Sequence, residues 1–236
     1  MKQTHVLRKL TLGMMLIFSI AYSSAQISKI AIISLEDTTI IHQHVGVTRF
    51  TNFRDTLNLN IAVKQYLEQQ LVKYLSQKFE VSIVSQLTDS FVYRPKIWGG
   101  LTKNFKNWMT NMKDQYDLVI IINNISLTPE MNMLLPRNSS GLFSKTKYMS
   151  FYTTISFDAY RTSDLKELEY YNMGGKFVTP CKSFKLPDDK KTFTPEMLAL
   201  LKDGFIKHLD SRVEHFLTKT YLMIQGDIDE IKANNP

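Results

Sequence analysis

One cysteine, Cys181, stands in a chain of 236 residues, which excludes an intramolecular disulfide framework. Several signatures of chemistry are missing as well. The sequence contains no Walker loop, no Gly-x-Ser-x-Gly, no dinucleotide fingerprint and no H-E-x-x-H zinc motif. After the first 25 residues no run is long and apolar enough to span a membrane. Nor is there a strong excess of one charge. Of 29 Lys+Arg, three fall in the first 25 residues, leaving 26 against 22 Asp+Glu. That balance is mild and scattered, and it excludes the clustered basic stripe of a nucleic-acid-binding protein.

The N-terminus is informative. Lys2, Arg8 and Lys9 precede the apolar stretch LTLGMMLIFSIAY, and Ser23 and Ala25 occupy the small-residue positions before a cut. The apolar stretch is shorter than the roughly 20 residues of a spanning helix. The pattern is that of a secretory signal peptide cleaved near Ala25, so the expected location is the periplasm or the exterior. No cysteine follows the cut to take a lipid anchor. Hydrophobic residues make up 44% of the chain, enough for an ordinary core. The expectation is one domain over 26–224 and a polar tail over 225–236.

Periodicity gives the order of elements. ISKIAIISL (27–35) is β-branched and apolar and reads as a buried strand. EDTTIIHQHVGVTRFTNFRD reads as a long polar loop. Between Leu57 and Lys78, Val63, Leu67, Leu71 and Tyr74 recur at helical spacing, and FEVSIVSQL then alternates as a strand. Phe105, Met109, Met112 and Tyr116 mark a second helix, and DLVIIINNISL (117–127) a strand covered on both faces. YMSFYTTISFDAYR reads as one long strand. Met149, Phe151, Ile155 and Phe157 lie on its buried side, and Tyr148, Tyr152 and Tyr160 on a wetter one. RTSDLKE is a turn and ELEYYNM its hairpin return. Thr194 and Pro195 open a last helix striped by Leu198, Leu201, Phe205, Leu209 and Phe216. The fold class expected is α/β: a βαβαβ unit, an antiparallel β-hairpin and a long C-terminal helix, in a mixed sheet with packed helices.

This order, with the opening KIAIISLED, the helix ending LVKYLSQKFEVSIVS, the strand YDLVIIINNIS and the hairpin ISFDAYRTSDLKELEY, resembles the small α/β domain of several bacterial envelope proteins. They include the amino-terminal domain of TolB, the CsgG-type curli secretion lipoproteins and the LpoB-type lipoproteins that activate penicillin-binding proteins. The resemblance implies a non-catalytic envelope module that works by contacts. The lipid-anchoring cysteine of many of those proteins is missing here.

Among candidates for chemistry, His42 and His44 are two apart, and Glu36, Asp37 and Asp55 flank them. Paired imidazoles with carboxylates at the end of a first strand suit zinc or a similar ion, and a metal-assisted hydrolase using these residues is one alternative reading. H-x-H supplies only two of the three or four ligands required, so no metal and no cofactor is expected. His208 and His215 share a face of the last helix with Arg212, the first at the edge of the core stripe. Cys181 reads as a half-buried bystander. Ser163 and Lys166 match S-x-x-K in a turn, without the helix and partner motifs that chemistry needs. No catalytic residue emerges.

The segment TPEMNMLLPRNSSGLFSKT (128–146) is longer than most connections. Met131, Met133, Leu134, Leu135, Leu142 and Phe143 suit an adaptable contact surface, or else fold back on the core or form an extra hairpin. Tyr148, Tyr152 and Tyr160 are a second contact candidate. The expected function is therefore an exported, non-enzymatic binding or assembly module whose partner is an envelope protein or a second copy of itself. Peripheral membrane association through the apolar loop is the other alternative.

Overall fold

In the computed structural model the described residues are 27–34, 38–84, 102–124, 138–145, 148–170, 178–181, 186–187 and 192–234, with backbone alone for 49, 169, 170, 178 and 221–234. The candidates Glu36, Asp37, Met131, Met133, Leu134 and Leu135, and the signal-like segment 1–25, lie outside them.

The apolar runs build the first sheet, with strand order β4-β1-β5-β8-β9. Strand β1 (Lys29–Ser34) is its centre, with β4 (Glu80–Ile83) and β5 (Leu118–Asn124) parallel on either side. Helix α1 (Val63–Leu75) is the last element before β4 on the path from β1, and α2 (Lys103–Met112) lies between β4 and β5. Val63, Leu67, Leu71 and Leu75 are the buried stripe of α1, and Phe105 and Met109 that of α2. Thr102 caps α2, its hydroxyl accepting from the Phe105 N–H at 3.3 Å, which satisfies one of the open amides of the first turn. Asp117, just before β5, accepts from Ser28 N (2.8 Å), Ser28 Oγ (3.0 Å) and Lys29 N (2.9 Å). These bonds fix the register of β1 on β5. Partial burial would raise the Asp117 pKa, and the three donors overcome it and hold the carboxyl below its usual range.

Strand β8 (Ile155–Arg161) runs antiparallel to β5, and β9 (Glu167–Tyr170) returns beside it. The turn between them is closed by an Arg161–Asp164 ion pair at 2.5 Å. The βαβαβ unit, the hairpin and the long helix α3 (Pro195–Asn234) are thus present, and the chain is of mixed α/β class. Helix α3 also continues through 225–234, the segment expected as a polar tail.

A second five-stranded sheet, order β10-β7-β6-β2-β3, was not expected. Its strands are β2 (Thr39–Val45), β3 (Phe53–Thr56), β6 (Ser139–Lys145), β7 (Tyr148–Thr153) and β10 (Val178–Pro180). Strands β2 and β3 come from the stretch read as a polar loop, and β6 from the long connection 128–146. The long strand 148–160 is two strands in different sheets, divided at Thr154. There the Thr154 hydroxyl donates to Ser139 O (2.8 Å) in the second sheet and stands 3.4 Å from Asn124 Oδ1 in the first.

The larger core lies between the sheets, α1 and α3, and includes Ile30, Ile120, Leu142, Phe151, Phe205 and Phe216. Phe157 stacks on Phe216 at 5.0 Å and Phe151 meets Phe205 at 6.1 Å. Each such side chain contributes roughly 1.5–3 kcal/mol through burial. Gly204 lets α3 approach β7, because a Cβ there would stand 2.6 Å from the Phe151 ring. A smaller core under α2 gathers Ala31, Ile33, Phe105, Met109, Val119, Ile121 and Tyr160.

Candidate functional site

Strand β2 places His42 and His44 on one face, since side chains two apart point the same way. Strand β6 runs parallel to it, with Ser144 directly opposite His44. The Ser144 hydroxyl lies 2.7 Å from His42 Nε2 and 2.8 Å from His44 Nδ1. A hydroxyl can donate once while accepting from another donor, so one Ser144 oxygen can serve both rings, with the direction of each bond set by the imidazole tautomers. All three side chains are buried: His42 is 2% exposed, His44 0% and Ser144 0%.

Aromatic rings complete the surroundings. Phe53 on β3 stacks on His44 at 4.9 Å and meets His42 edge-on at 5.0 Å, and Phe193 approaches His42 at 5.4 Å. Burial lowers the His42 pKa to about 4, helped by the neighbouring His44 and opposed by Asp55. His42 is therefore neutral at neutral pH. A third imidazole, His208 on α3, accepts or donates at 2.7 Å with Thr179 Oγ1 of β10. Burial first, and then Arg212, lowers its pKa to about 3.

The expected polar loop is thus a buried strand, and its two histidines turn inward onto a serine. Each imidazole meets the serine through one ring nitrogen, and both rings are withdrawn from solvent. Among the described residues no three or more His, Cys, Asp or Glu side chains are grouped to hold a metal ion. His208 is buried, as its place beside the core stripe implied, and His215 is exposed. Cys181 is half-buried, and burial pushes its thiol pKa up.

The contact candidates divide. Tyr148 is 78% exposed. Tyr152 and Tyr160 do not share its face with solvent, being 0% and 1% exposed. The Tyr152 hydroxyl lies 3.1 Å from Ser139 Oγ, and burial pushes its pKa up to about 12. Tyr160 packs against Phe105 of α2 at 5.3 Å. Leu142 is fully buried in the main core, and Phe143 is half-buried on β6. A continuous alternation suggested one wet face; the change of sheet at Thr154 gives each half a different covering.

Two features of the second sheet escaped sequence reasoning. The edge strand β3 leaves Arg54, Asp55 and Thr56 exposed. The turn between β2 and β3 presents Val47 at 85% and Phe50 at 96% exposure. The sequence signal for that turn was GVTRFTN, polar residues punctuated by two apolar ones.

No family model matches the chain, and no curated protein does. Among solved structures, a Xanthomonas campestris protein of family DUF330 is similar, with a TM-score of 0.41 and 10% identity over 87% of this chain and 89% of that one. That likeness assigns no role to any residue here.

Proposed function

We propose that this chain is an exported, non-catalytic binding module of the cell envelope that works through protein–protein contacts. In this reading a partner's extended segment adds to the second sheet alongside β3. The observation that carries it is the state of that edge. The four residues of β3 pair inward with β2, from Ile41↔Thr56 to His44↔Phe53. Leu57 N bonds inward to Ile40 O at 2.9 Å. By the alternation of an antiparallel ladder, the backbone N–H and C=O of Arg54 and Thr56 then point outward.

Among the described residues no strand covers this edge, and an open row of this kind is a template for strand addition, with main-chain bonds supplying affinity and alternate side chains specificity. Arg54 is braced, its Nε donating to Gln43 Oε1 at 2.8 Å. Placement of both histidines in hydrogen bonds to Ser144 supports a structural role for that cluster. The sequence resemblance to envelope domains that act by contact supports the same reading.

Thr56→Pro tests it. Proline is tolerated on an edge strand and removes only the outward N–H. The variant should keep the urea midpoint of the parent and lose capture of the envelope partner by tenfold or more. Undiminished capture would exclude this edge as the interface.

A further inference from the structure

The end of the second sheet carries a feature that strand addition does not use. Among the described residues five large hydrophobic side chains are exposed: Val47, Phe50, Ile83, Tyr148 and Leu200. Three of them gather at one end of one sheet. Val47 and Phe50 sit in the turn after β2, and Tyr148 begins β7. The registers Val45↔Lys145 and Lys145↔Tyr148 make the three strands finish in one row.

The turn holding Val47 and Phe50 is built. Gly46 N donates to Asn52 Oδ1 at 2.8 Å, Thr48 N to Thr51 Oγ1 at 3.2 Å, and Thr51 Oγ1 to Thr48 O at 2.8 Å. A Cβ on Gly46 would stand 1.8 Å from Thr51 Oγ1, so the turn closes only on glycine. The cross-bonded backbone therefore holds a phenylalanine 96% exposed, touching almost nothing of its own chain. An apolar side chain kept in water on an ordered tip has no role in the fold's own packing.

We infer that this end of the second sheet docks on an anionic lipid bilayer, with Phe50 and Val47 entering the interfacial region and Tyr148 lying at headgroup level. Charge decides for this partner. Residues 46–52 contain Arg49 and no acidic residue, and the exposed Lys145 closes the row between Val45 and Tyr148. Protruding apolar side chains beside the exposed Lys145, on a turn whose sequence adds Arg49 and no acid, suit insertion beneath anionic headgroups, each basic residue strengthening attraction roughly fivefold. The tyrosine's amphipathic ring suits the boundary. The same face is distinct from the outward edge of β3, so a docked molecule keeps that edge open.

The test is flotation of the full chain with phosphatidylcholine vesicles, with and without phosphatidylglycerol, for the parent, Val47→Ser/Phe50→Ser and the control Leu200→Ser. Every arm carries the same residues 1–25, so differences report on the tip. The parent and L200S should float with anionic vesicles and weaken as salt rises, and the double variant should partition at least about tenfold less. Circular dichroism should show all three folded. A photoreactive p-benzoylphenylalanine at position 50 should form lipid adducts in cells. Equal flotation of parent and double variant, equal loss in L200S, or a discrete protein adduct at position 50 would each overturn the assignment.

Discussion

Ser144 and His44 face each other across the parallel pair β6 and β2, 100 residues apart in sequence and 2.8 Å apart from Oγ to Nδ1. That contact, shared with His42, ties two segments of weak strand character into one sheet.

Removing the hydroxyl should therefore be costly. Ser144→Ala takes the hydroxyl partner from two buried imidazole nitrogens, and each lost buried bond costs about 1–3 kcal/mol. A urea titration should show the midpoint falling accordingly. An unchanged midpoint would mean that the cluster does not hold the sheet.

Acid should weaken the fold through the same imidazoles. An unfolded histidine titrates near 6.5, whereas His42 is held near 4 and His208 near 3. Below about pH 6.5 the unfolded chain thus binds protons that the folded one refuses. Stability is present above that pH, falls as pH drops, and goes on falling through 4 and then 3. The contribution is on the order of 3 kcal/mol for His42. Denaturant midpoints at about pH 7.5 and about pH 5 should differ in that direction, and His208→Gln should flatten the profile.

The two tyrosines of β7 make a contrast. Tyr152→Ala empties a fully buried site and should cost about 3–5 kcal/mol, while Tyr148→Ala should stay within about 0.5 kcal/mol. Thermal or chemical denaturation of the pair measures the difference directly.

Glycine at 204 gives the opposite of the usual helix result. In an exposed helix, replacing glycine stabilises by about 1 kcal/mol. Here a Cβ would meet Phe151 at 2.6 Å, so Gly204→Val should destabilise by about 1–3 kcal/mol through overpacking.

What the sequence revealed follows from how polar residues are distributed. Sheet one was readable because Ile30–Ile33 and Leu118–Ile122 are unbroken apolar runs, and because α1 and α3 keep a stripe through several turns. The second sheet was hidden because its strands are polar yet buried. Ser140 Oγ meets Thr153 Oγ1 at 2.7 Å, Ser139 meets Tyr152, and the histidines meet Ser144. These polar side chains are matched on a neighbouring strand, 13 residues away within the β6–β7 pair and 100 or 102 away for the histidines, and pattern reading assigns such residues to water. The alternation from Tyr148 to Tyr160 also continues unbroken through the corner at Thr154, so nothing local marks the change of sheet. Of the candidate residues, H-x-H drew attention to His42 and His44 as weak metal ligands in a polar loop and gave no sign of the strand or of the serine they meet.

Site-specific photocrosslinking from intact cells, with a photoreactive residue at Thr56 and a control at the exposed Lys106 of α2, tests the binding role most directly. The account predicts one discrete protein adduct at position 56, lost when the neighbouring Arg54 is replaced by proline, and none at 106. Absence of an adduct at 56, or the same adducts at both positions, would contradict a module that recruits its partner along β3.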